Sequence, residues 1–193
     1  MKSMEILVAR TNDETELAIG RLRRAAVLGC DTETSGLSPT TGKILSVQFS
    51  DGDLSVLVPM SEGIGIGGFA ELLSEPSIVK VFHNARFDLS FLRRHVKVEN
   101  YFCTMIAEKI LTRGANQSVS LAETLYRHFA VDLDKAPRQK FTKNWDGIWT
   151  DELVAYALGD VIHLPGLMSE QIRWLERIGL TDEYRDQLEK LLP

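Results

Sequence analysis

An apolar run leads directly into a pair of acidic residues in the stretch Ala26-Val27-Leu28-Gly29-Cys30-Asp31-Thr32-Glu33-Thr34. The apolar and small residues at 26–30 predict a buried strand that carries Asp31 at its end. Side chains alternate along a strand, so Asp31 and Glu33 should point to one face and Thr32 to the other. Buried carboxylates resist ionisation unless a cation neutralises them. The stretch therefore indicates a site for divalent cations.

The rest of the chain predicts an α/β core capped by helices, because strands with interleaved helices are followed by a run of helices. Four further strands are predicted at 44–49, 54–58, 78–82 and 101–103. The predicted helices cover 11–24, 69–73, 88–95, 105–111, 121–129, 151–174 and 182–192. Asn12 or Asp13 is the expected N-cap of the first helix. Pro165 predicts a break in the long helix near His163 and Leu164.

Size and composition predict one globular domain. The 193 residues are 44% hydrophobic and 25% charged, as in ordinary globular proteins. We expect a core at about 26–168 and a helical C-terminal appendage at about 169–193. No apolar run approaches the roughly 20 residues that span a bilayer, so no membrane association is expected. Cys30 and Cys103 lack zinc-ligand spacing and are predicted to be buried free thiols, which suggests a cytoplasmic location.

Two further motifs carry acidic residues that could complete a cation site. They are His-Asn-Ala-Arg-Phe-Asp at 83–88 and Tyr-Ala-Leu-Gly-Asp at 156–160. Tyr156 and Asp160 lie one turn apart on one face of a predicted helix, and Asp88 comes from another element. Carboxylate oxygens suit Mg²⁺ or Mn²⁺, and a pair of such ions promotes in-line displacement at phosphorus. Tyr156 should keep its proton near neutral pH and orient the attacking water.

These three motifs resemble those of the DEDD superfamily of 3′–5′ exonucleases, in the branch that carries a tyrosine. That branch includes ribonuclease D, the proofreading domain of bacterial DNA polymerase I and nano-RNase-type oligoribonucleases. The resemblance covers residues 27–167, and Ala155 stands where the sister branch has histidine. It implies a ribonuclease H-like fold, with a five-stranded mixed sheet flanked by helices and a helical C-terminal part.

The resemblance also implies individual roles. It makes the four acids the ligands of two divalent ions, Mg²⁺ or Mn²⁺, with Tyr156 as the fifth catalytic residue. In this scheme Asp31 bridges both ions, and Glu33 binds one ion and contacts the terminal 3′-hydroxyl. Asp88 binds the second ion and Asp160 binds the first. The implied substrate-binding residues are Thr32, Leu37, His83, Asn84 and Phe87, with Leu37 against the terminal base and Asn84 near the penultimate nucleotide. His83 has a second interpretation, as a strand-end histidine whose hydrogen bonds are satisfied within the fold.

The predicted activity is release of nucleoside 5′-monophosphates from the 3′ end of single-stranded RNA or DNA, including short oligonucleotides. The net charge of −5 favours a short single-stranded end over a long duplex, whose binding needs many cationic contacts. Two alternatives stay open: a catalytically silent nucleic-acid-binding module, and a proofreading partner of a polymerase.

Two surfaces have two interpretations each. The basic segment of Lys135, Arg138, Lys140 and Lys143, with its neighbouring aromatic residues, is compatible with a strand-tracking groove or with a solvated loop whose tryptophans pack inward. The apolar residues at 174–192 suit packing onto the core or a homo-oligomer interface.

Overall fold

A computed structural model of the chain describes residues 5–60, 65–113, 115–133, 141 and 145–191. These described residues form six strands and eight helices, in the chain order β1 (Glu5–Val8), α1 (Asn12–Leu22), β2 (Val27–Thr34), β3 (Ile44–Ser50), β4 (Leu54–Pro59), α2 (Phe69–Ser74), β5 (Val79–Phe82), α3 (Ala85–Leu92), β6 (Tyr101–Cys103), α4 (Thr104–Leu111), α5 (Leu121–Phe129), α6 (Asp151–Ile162), α7 (Leu164–Arg177) and α8 (Thr181–Glu189).

The six strands form one mixed sheet in the order β1-β4-β3-β2-β5-β6. β2 pairs antiparallel with β3 and parallel with β5, so it lies inside the sheet. The predicted count of five strands was wrong by one. The additional strand is β1, which pairs parallel with β4 at one edge. Two of its four residues are exposed and two are half-buried, and their partner is distant in sequence, so the local pattern does not reveal them.

Gly29 allows the junction between α6 and α7 to approach β2 closely. A Cβ atom at Gly29 would lie 2.3 Å from the backbone oxygen of Val161 and 3.2 Å from side-chain atoms of Leu164 and Pro165. A larger residue would therefore push this junction away from the sheet. Because Asp31 follows two residues after Gly29, the same close approach sets the distance between Asp31 and the residues of α6.

The helices lie close to the predicted ones, but α1, α3 and α8 end two or three residues early, at Leu22, Leu92 and Glu189, and three other ends also differ. Thr11, rather than Asn12 or Asp13, is the N-cap of α1, in a capping box with Glu14. α3 begins at Ala85 instead of Asp88, directly after Asn84, whose backbone is left-handed at φ 65°. The long predicted helix breaks at His163 as expected, and α7 continues to Arg177, past the predicted end at residue 174.

The C-terminal helices pack against the body of the protein. α7 contacts α4, β2 and β5, and α8 contacts α4 and α7. The hydroxyl of Tyr184 on α8 accepts a hydrogen bond of 2.8 Å from the backbone N–H of Cys103. Leu175 is buried, whereas Trp174 and Ile178 are exposed. The expected boundary at residues 168–169 lies within α7, and we retain a single domain as a proposal. Among the described helices, none has the length and apolar character needed to cross a membrane.

Candidate active site

Two of the acidic residues are held by β2, which continues through the predicted end at Cys30 to Thr34. Asp31 and Glu33 lie opposite Gln48 and Ser46 of β3, and the register shifts between Glu33 and Thr34. Such irregularities of pairing are common beside active sites, where they redirect a side chain. Because β2 has a paired strand on each side, both carboxylates project from an interior strand of the sheet.

Asp160 on α6 joins these two residues. Carboxylate oxygens of Asp31, Glu33 and Asp160 all lie within 4.8 Å of one another. Glu33 is buried, and Asp31 and Asp160 are half-buried. Three oxygen ligands at this spacing, partly removed from water, fit a hard divalent cation such as Mg²⁺ or Mn²⁺.

Asp88 on α3 lines the same cavity as these three acids. Its side chain is 1% exposed, and its Oδ1 accepts a hydrogen bond of 2.7 Å from the hydroxyl of Thr32. Thr32 stands between Asp31 and Glu33 in the strand and is itself buried. Its hydroxyl thus fixes the position of a carboxylate, a contact that the predicted substrate-binding role of Thr32 did not include.

The acidic residues make one another difficult to ionise. Burial raises the pKa of Asp31 well above its usual range, and repulsion from Asp88, Asp160 and Glu33 raises it further. Burial also raises the pKa of Asp88 to about 7, although the hydrogen bond from Thr32 opposes this change. A bound cation would relieve both effects, because it favours the ionised form of every carboxylate around it.

All ten predicted site residues line one cavity of about 310 Å³. The remaining three lining residues, Met105, Ser120 and Leu121, were not predicted as site residues. Ser120 is the N-cap of α5, so a local helix-start signal was present, but nothing in the sequence places that helix beside the acids. Leu37 is 81% exposed at this cavity, an unusual position for a large apolar side chain beside carboxylates.

His83 is held by two hydrogen bonds within the protein. Its Nε2 lies 3.0 Å from the backbone oxygen of Val119, and its Nδ1 lies 2.8 Å from the hydroxyl of Thr104. Burial lowers the pKa of His83 to about 4, so the ring is neutral at pH 7. The neutral ring must then donate from Nε2 and accept at Nδ1. These contacts favour the second interpretation of His83, since they connect the end of β5 to the segment before α5.

Two polar residues beneath the acids were not predicted. Gln48 is fully buried, and its Nε2 donates a hydrogen bond of 2.5 Å to the hydroxyl of Ser46. Within the described part of the chain, Gln48 Oε1 has no hydrogen-bond partner. Buried polar groups without partners are rare. Both side chains lie beside the acids because directly paired residues share one face of a sheet.

Comparison with known proteins agrees with this geometry. A family model described as 3′-5′ exonuclease matches residues 6–170. The chain belongs to the 3′–5′ exonuclease family. Within curated members of this group, ribonuclease D of Bartonella henselae is 30% identical over 189 residues, which are 96% of this chain and 45% of that protein. Ribonuclease D of Gluconacetobacter diazotrophicus is 30% identical over 92% of this chain and 44% of its own length. The chain thus spans less than half the length of these relatives.

Solved structures of related 3′–5′ exonucleases confirm the ribonuclease H-like fold and the resemblance to the DEDD superfamily. NrnC of Brucella melitensis superposes with a TM-score of 0.81 at 26% identity, over 98% of this chain and 90% of NrnC. NrnC was also solved with bound Mg²⁺, at a TM-score of 0.76, and bound to pGG, at 0.81. RNase D of Escherichia coli has a TM-score of 0.82 at 20% identity, over 98% of this chain and 49% of that one, which shows the shared fold.

The aromatic residues near the third exonuclease motif pack against one another. Phe141 lies 5.4 Å from Trp149 and 6.1 Å from Tyr156, measured between ring centroids. Phe141 and Trp149 are each 9% exposed, so these rings pack inward as the second interpretation holds. The basic residues Lys135, Arg138, Lys140 and Lys143 lie outside the described residues, and the groove predicted from them stays a prediction.

Proposed function

We propose that this protein is an active 3′–5′ exonuclease that removes nucleoside 5′-monophosphates from the 3′ end of single-stranded RNA or DNA, including short oligonucleotides. The observation that carries the proposal is the convergence of Asp31, Glu33 and Asp160 within 4.8 Å, in one cavity with Asp88 and Tyr156. These four acids come from three elements, and the pKa of one acid, Asp88, is raised to about 7. Bringing them together costs folding free energy, and a purely structural role does not require such a cluster.

The acidic residues divide into two overlapping ligand sets. Asp31, Glu33 and Asp160 would hold one divalent ion, and Asp31 with Asp88 would hold the second. Mg²⁺ or Mn²⁺ at these positions would supply positive charge against the scissile phosphate and acidify the attacking water. The Mg²⁺-bound structure of NrnC supports the choice of a divalent ion. Thr32 keeps Asp88 in place and favours its ionised form, as binding of a cation requires.

The remaining residues would position the strand end and the water. The phenol of Tyr156 would orient the attacking water through a hydrogen bond, because a phenol is a hydrogen-bond donor and acceptor. Glu33 would also accept a hydrogen bond from the terminal 3′-hydroxyl. Leu37 would pack against the terminal base, which its 81% exposure allows, and Phe87 and Asn84 would contact the nucleotides next to it.

Two further observations bear on the substrate. The chain matches NrnC over 90% of the length of NrnC, and the NrnC structure bound to pGG supports a short oligonucleotide as substrate. The net charge of −5 supports a short contact with the strand. We also propose a cytoplasmic location, since Cys30 and Cys103 are both free and buried.

The test is cleavage of matched 5′-labelled RNA and DNA oligonucleotides with Mg²⁺, Mn²⁺ or chelator. We expect a ladder of single-nucleotide steps that requires the metal, and a difference between the two polymers would reveal the sugar preference. The assay uses this chain without any polymerase, so activity excludes the requirement for such a partner. Absence of cleavage with either metal, together with retained binding of the oligonucleotide, would favour the silent binding module instead.

Two variants test the roles of individual residues. Asp31→Ala should lower kcat on the order of 1,000-fold, because charge stabilisation by a metal ion contributes several kcal/mol. Tyr156→Phe should lower kcat by roughly tenfold to 100-fold through loss of one hydrogen bond in the transition state, without loss of metal binding. Asp186→Ala, at an exposed position on α8, is the matched control and should keep full activity. Equal activity of Asp31→Ala and the parent protein would contradict the mechanism.

A further inference from the structure

A second cavity, of about 470 Å³, lies beyond the wall of the active-site cavity. Its apolar lining consists of Ile44, Met60 and Phe91, and its polar lining consists of the cations Lys43 and Arg94 together with His95. Ile44 and Phe91 are buried, whereas the three polar side chains are exposed at the rim. The cavity thus has an apolar floor beneath a basic rim, and its volume is in the range of small-ligand sites.

The charge of this cavity is opposite to that of the whole chain. The protein carries a net charge of −5, yet no carboxylate is among the residues that line this cavity. In the portions of the chain that the structure covers, neither Lys43 nor Arg94 forms an ion pair. The guanidinium of Arg94 donates a hydrogen bond to the backbone oxygen of Pro39, which holds it at one place. Two cations above an apolar floor fit a ligand that combines a phosphate with a flat ring.

The segment 35–43 forms one part of the wall between the two cavities. Its ends are joined by hydrogen bonds of 3.0 Å, from the Ser35 N–H to the Lys43 oxygen and from the Lys43 N–H to the Ser35 hydroxyl. Leu37 of this segment lines the active-site cavity, and Lys43 lines the second one. This one segment therefore contributes a lining side chain to each cavity.

Two phenylalanines of α3 form the other part of this wall. Phe87 lines the active-site cavity and Phe91 lines the second one. Their ring centroids are 5.1 Å apart, so the two contacting rings link the lining of one cavity to that of the other. Gly42 permits the segment 35–43 to pack closely on Phe91, since a Cβ atom at Gly42 would lie 3.1 Å from the ring of Phe91 and 2.9 Å from the backbone oxygen of Ser38.

We propose that this second cavity binds a nucleotide on the 5′ side of the terminal two, with its phosphate on Lys43 and Arg94 and its base against Met60 and Ile44. This inference rests on the proposed exonuclease function and adds a specificity site to it. A strand of three or more nucleotides gains contacts here that a dinucleotide cannot reach. The cavity would therefore set the preference of the enzyme among substrate lengths.

The test compares the Lys43→Ala/Arg94→Ala variant with the parent protein on a dinucleotide and a heptanucleotide of the same sugar. We expect KM for the heptanucleotide to rise about tenfold, while kcat/KM for the dinucleotide changes less than twofold. Each phosphate contact contributes about 0.7 to the slope of log affinity against log salt for single strands. The slope for the heptanucleotide should accordingly fall by about 0.7 to 1.4, for one or two lost contacts.

Two controls keep this experiment decisive. Arg24→Ala/Lys190→Ala removes the same charge from exposed positions outside the cavity, and it should leave the length preference unchanged. Arg94→Ala also removes the hydrogen bond to Pro39 and could displace the segment that carries Leu37. Lys43→Ala alone avoids this effect, because Lys43 bonds to Ser35 through its backbone, and it should still raise KM for the heptanucleotide severalfold.

The remaining outcomes distinguish failure of the second nucleotide site from failure of the exonuclease function. Equal loss on both substrates with Lys43→Ala, or no change on either substrate with the double variant, would overturn the second nucleotide site while leaving the exonuclease function in place. If the parent protein cleaves neither substrate, the proposed function fails first, and binding of a 5′-fluorescein heptanucleotide, measured by fluorescence anisotropy, then tests the cavity. Unchanged affinity of the Lys43→Ala/Arg94→Ala variant in that measurement would refute the site as well.

Discussion

Thr32 supports Asp88, because its hydroxyl donates a hydrogen bond to a carboxylate that is almost fully buried. Burial raises the pKa of Asp88 to about 7, and the hydrogen bond from Thr32 is the largest influence that lowers it. Thr32→Val keeps the shape of the side chain and removes this hydrogen bond. The pKa of Asp88 should then rise further, so at pH 7 less of this residue is ionised and available for a cation.

We expect Thr32→Val to weaken Mn²⁺ binding at pH 7 by about tenfold, in line with other residues that hold metal ligands in place. Isothermal titration calorimetry measures this affinity, and the loss should shrink as the pH is raised from 7 to 8.5. Thr32→Ser retains a hydroxyl and serves as the control. An affinity of Thr32→Val equal to that of the parent at pH 7 would show that the hydroxyl does not support Asp88.

The sequence predicted the acids of this site better than the groups that hold them. Asp31, Glu33 and Asp160 could be identified because acidic residues after an apolar strand or on an amphipathic helix form a local pattern. The bond from Thr32 to Asp88 joins residues 56 positions apart, and its existence depends on how α3 packs beside β2. Gln48 was likewise part of an apparently ordinary strand, and only the strand register brings it beside Asp31.

At the scale of elements, one buried acid joins α4, α5 and α7. Glu108 on α4 is 1% exposed, and its Oε1 accepts hydrogen bonds from Arg127 while its Oε2 accepts from His128 and Gln171, all at 2.9 to 3.2 Å. Burial alone would raise the pKa of Glu108, but these hydrogen bonds outweigh it and lower the pKa to about 2. The network also holds α5, whose first residues line the active-site cavity.

Glu108→Gln should lower the free energy of unfolding by about 2–3 kcal/mol, because it leaves the partly buried Arg127 without its counter-charge. Chemical denaturation measures this change. The folded-state pKa lies below the ordinary 4.5, so this stabilisation is complete above pH 4.5 and is lost as the pH falls toward 2. The difference in the free energy of unfolding between the parent protein and Glu108→Gln should therefore narrow as the pH falls from 4.5 to 2.

The surface pair of Glu170 and Arg173 provides the control for this prediction. These residues lie three positions apart on α7, and Arg173 is 70% exposed. Glu170→Gln should cost less than about 1 kcal/mol, since exposed ion pairs contribute little. If Glu108→Gln destabilises the protein no more than Glu170→Gln does, the three-helix network does not stabilise the fold.

The elements that the sequence located well are those with strong local signals. α5 begins and ends where its pattern predicts, and the break at His163 follows from Pro165. β1 was missed because a four-residue edge strand is defined by its pairing with β4, which lies far along the chain. The start of α3 was placed too late because the left-handed backbone of Asn84, which turns the chain into the helix, leaves no clear mark on neighbouring residues.

At the scale of the whole molecule, the active site opposes the stability of the metal-free protein. Three elements that are distant in sequence bring Asp31, Asp88 and Asp160 together, and their mutual repulsion adds to the effect of burial. The fold must supply enough favourable packing elsewhere to tolerate this cluster. Such a trade between stability and activity is common in enzymes. The acids need a rigid sheet beneath them, because the sheet must hold them together against their repulsion.

Removal of one acid should therefore stabilise the metal-free protein while it abolishes activity. The folded-state pKa of Asp31 is raised, so its unfavourable contribution is small below the ordinary value and grows as the pH rises above it. With chelator at pH 8, Asp31→Asn should raise the free energy of unfolding by about 1 kcal/mol, or Tm by roughly 2–4 °C, and by less at pH 5. Asp186→Asn at an exposed position should leave Tm within about 1 °C, because surface substitutions change stability little. Addition of Mn²⁺ should reverse the order of the two Tm values, since the parent protein binds the ion more tightly than Asp31→Asn does and gains more stability from it. A metal-free Asp31→Asn protein that melts below the parent at pH 8 would show that the acids do not destabilise the fold.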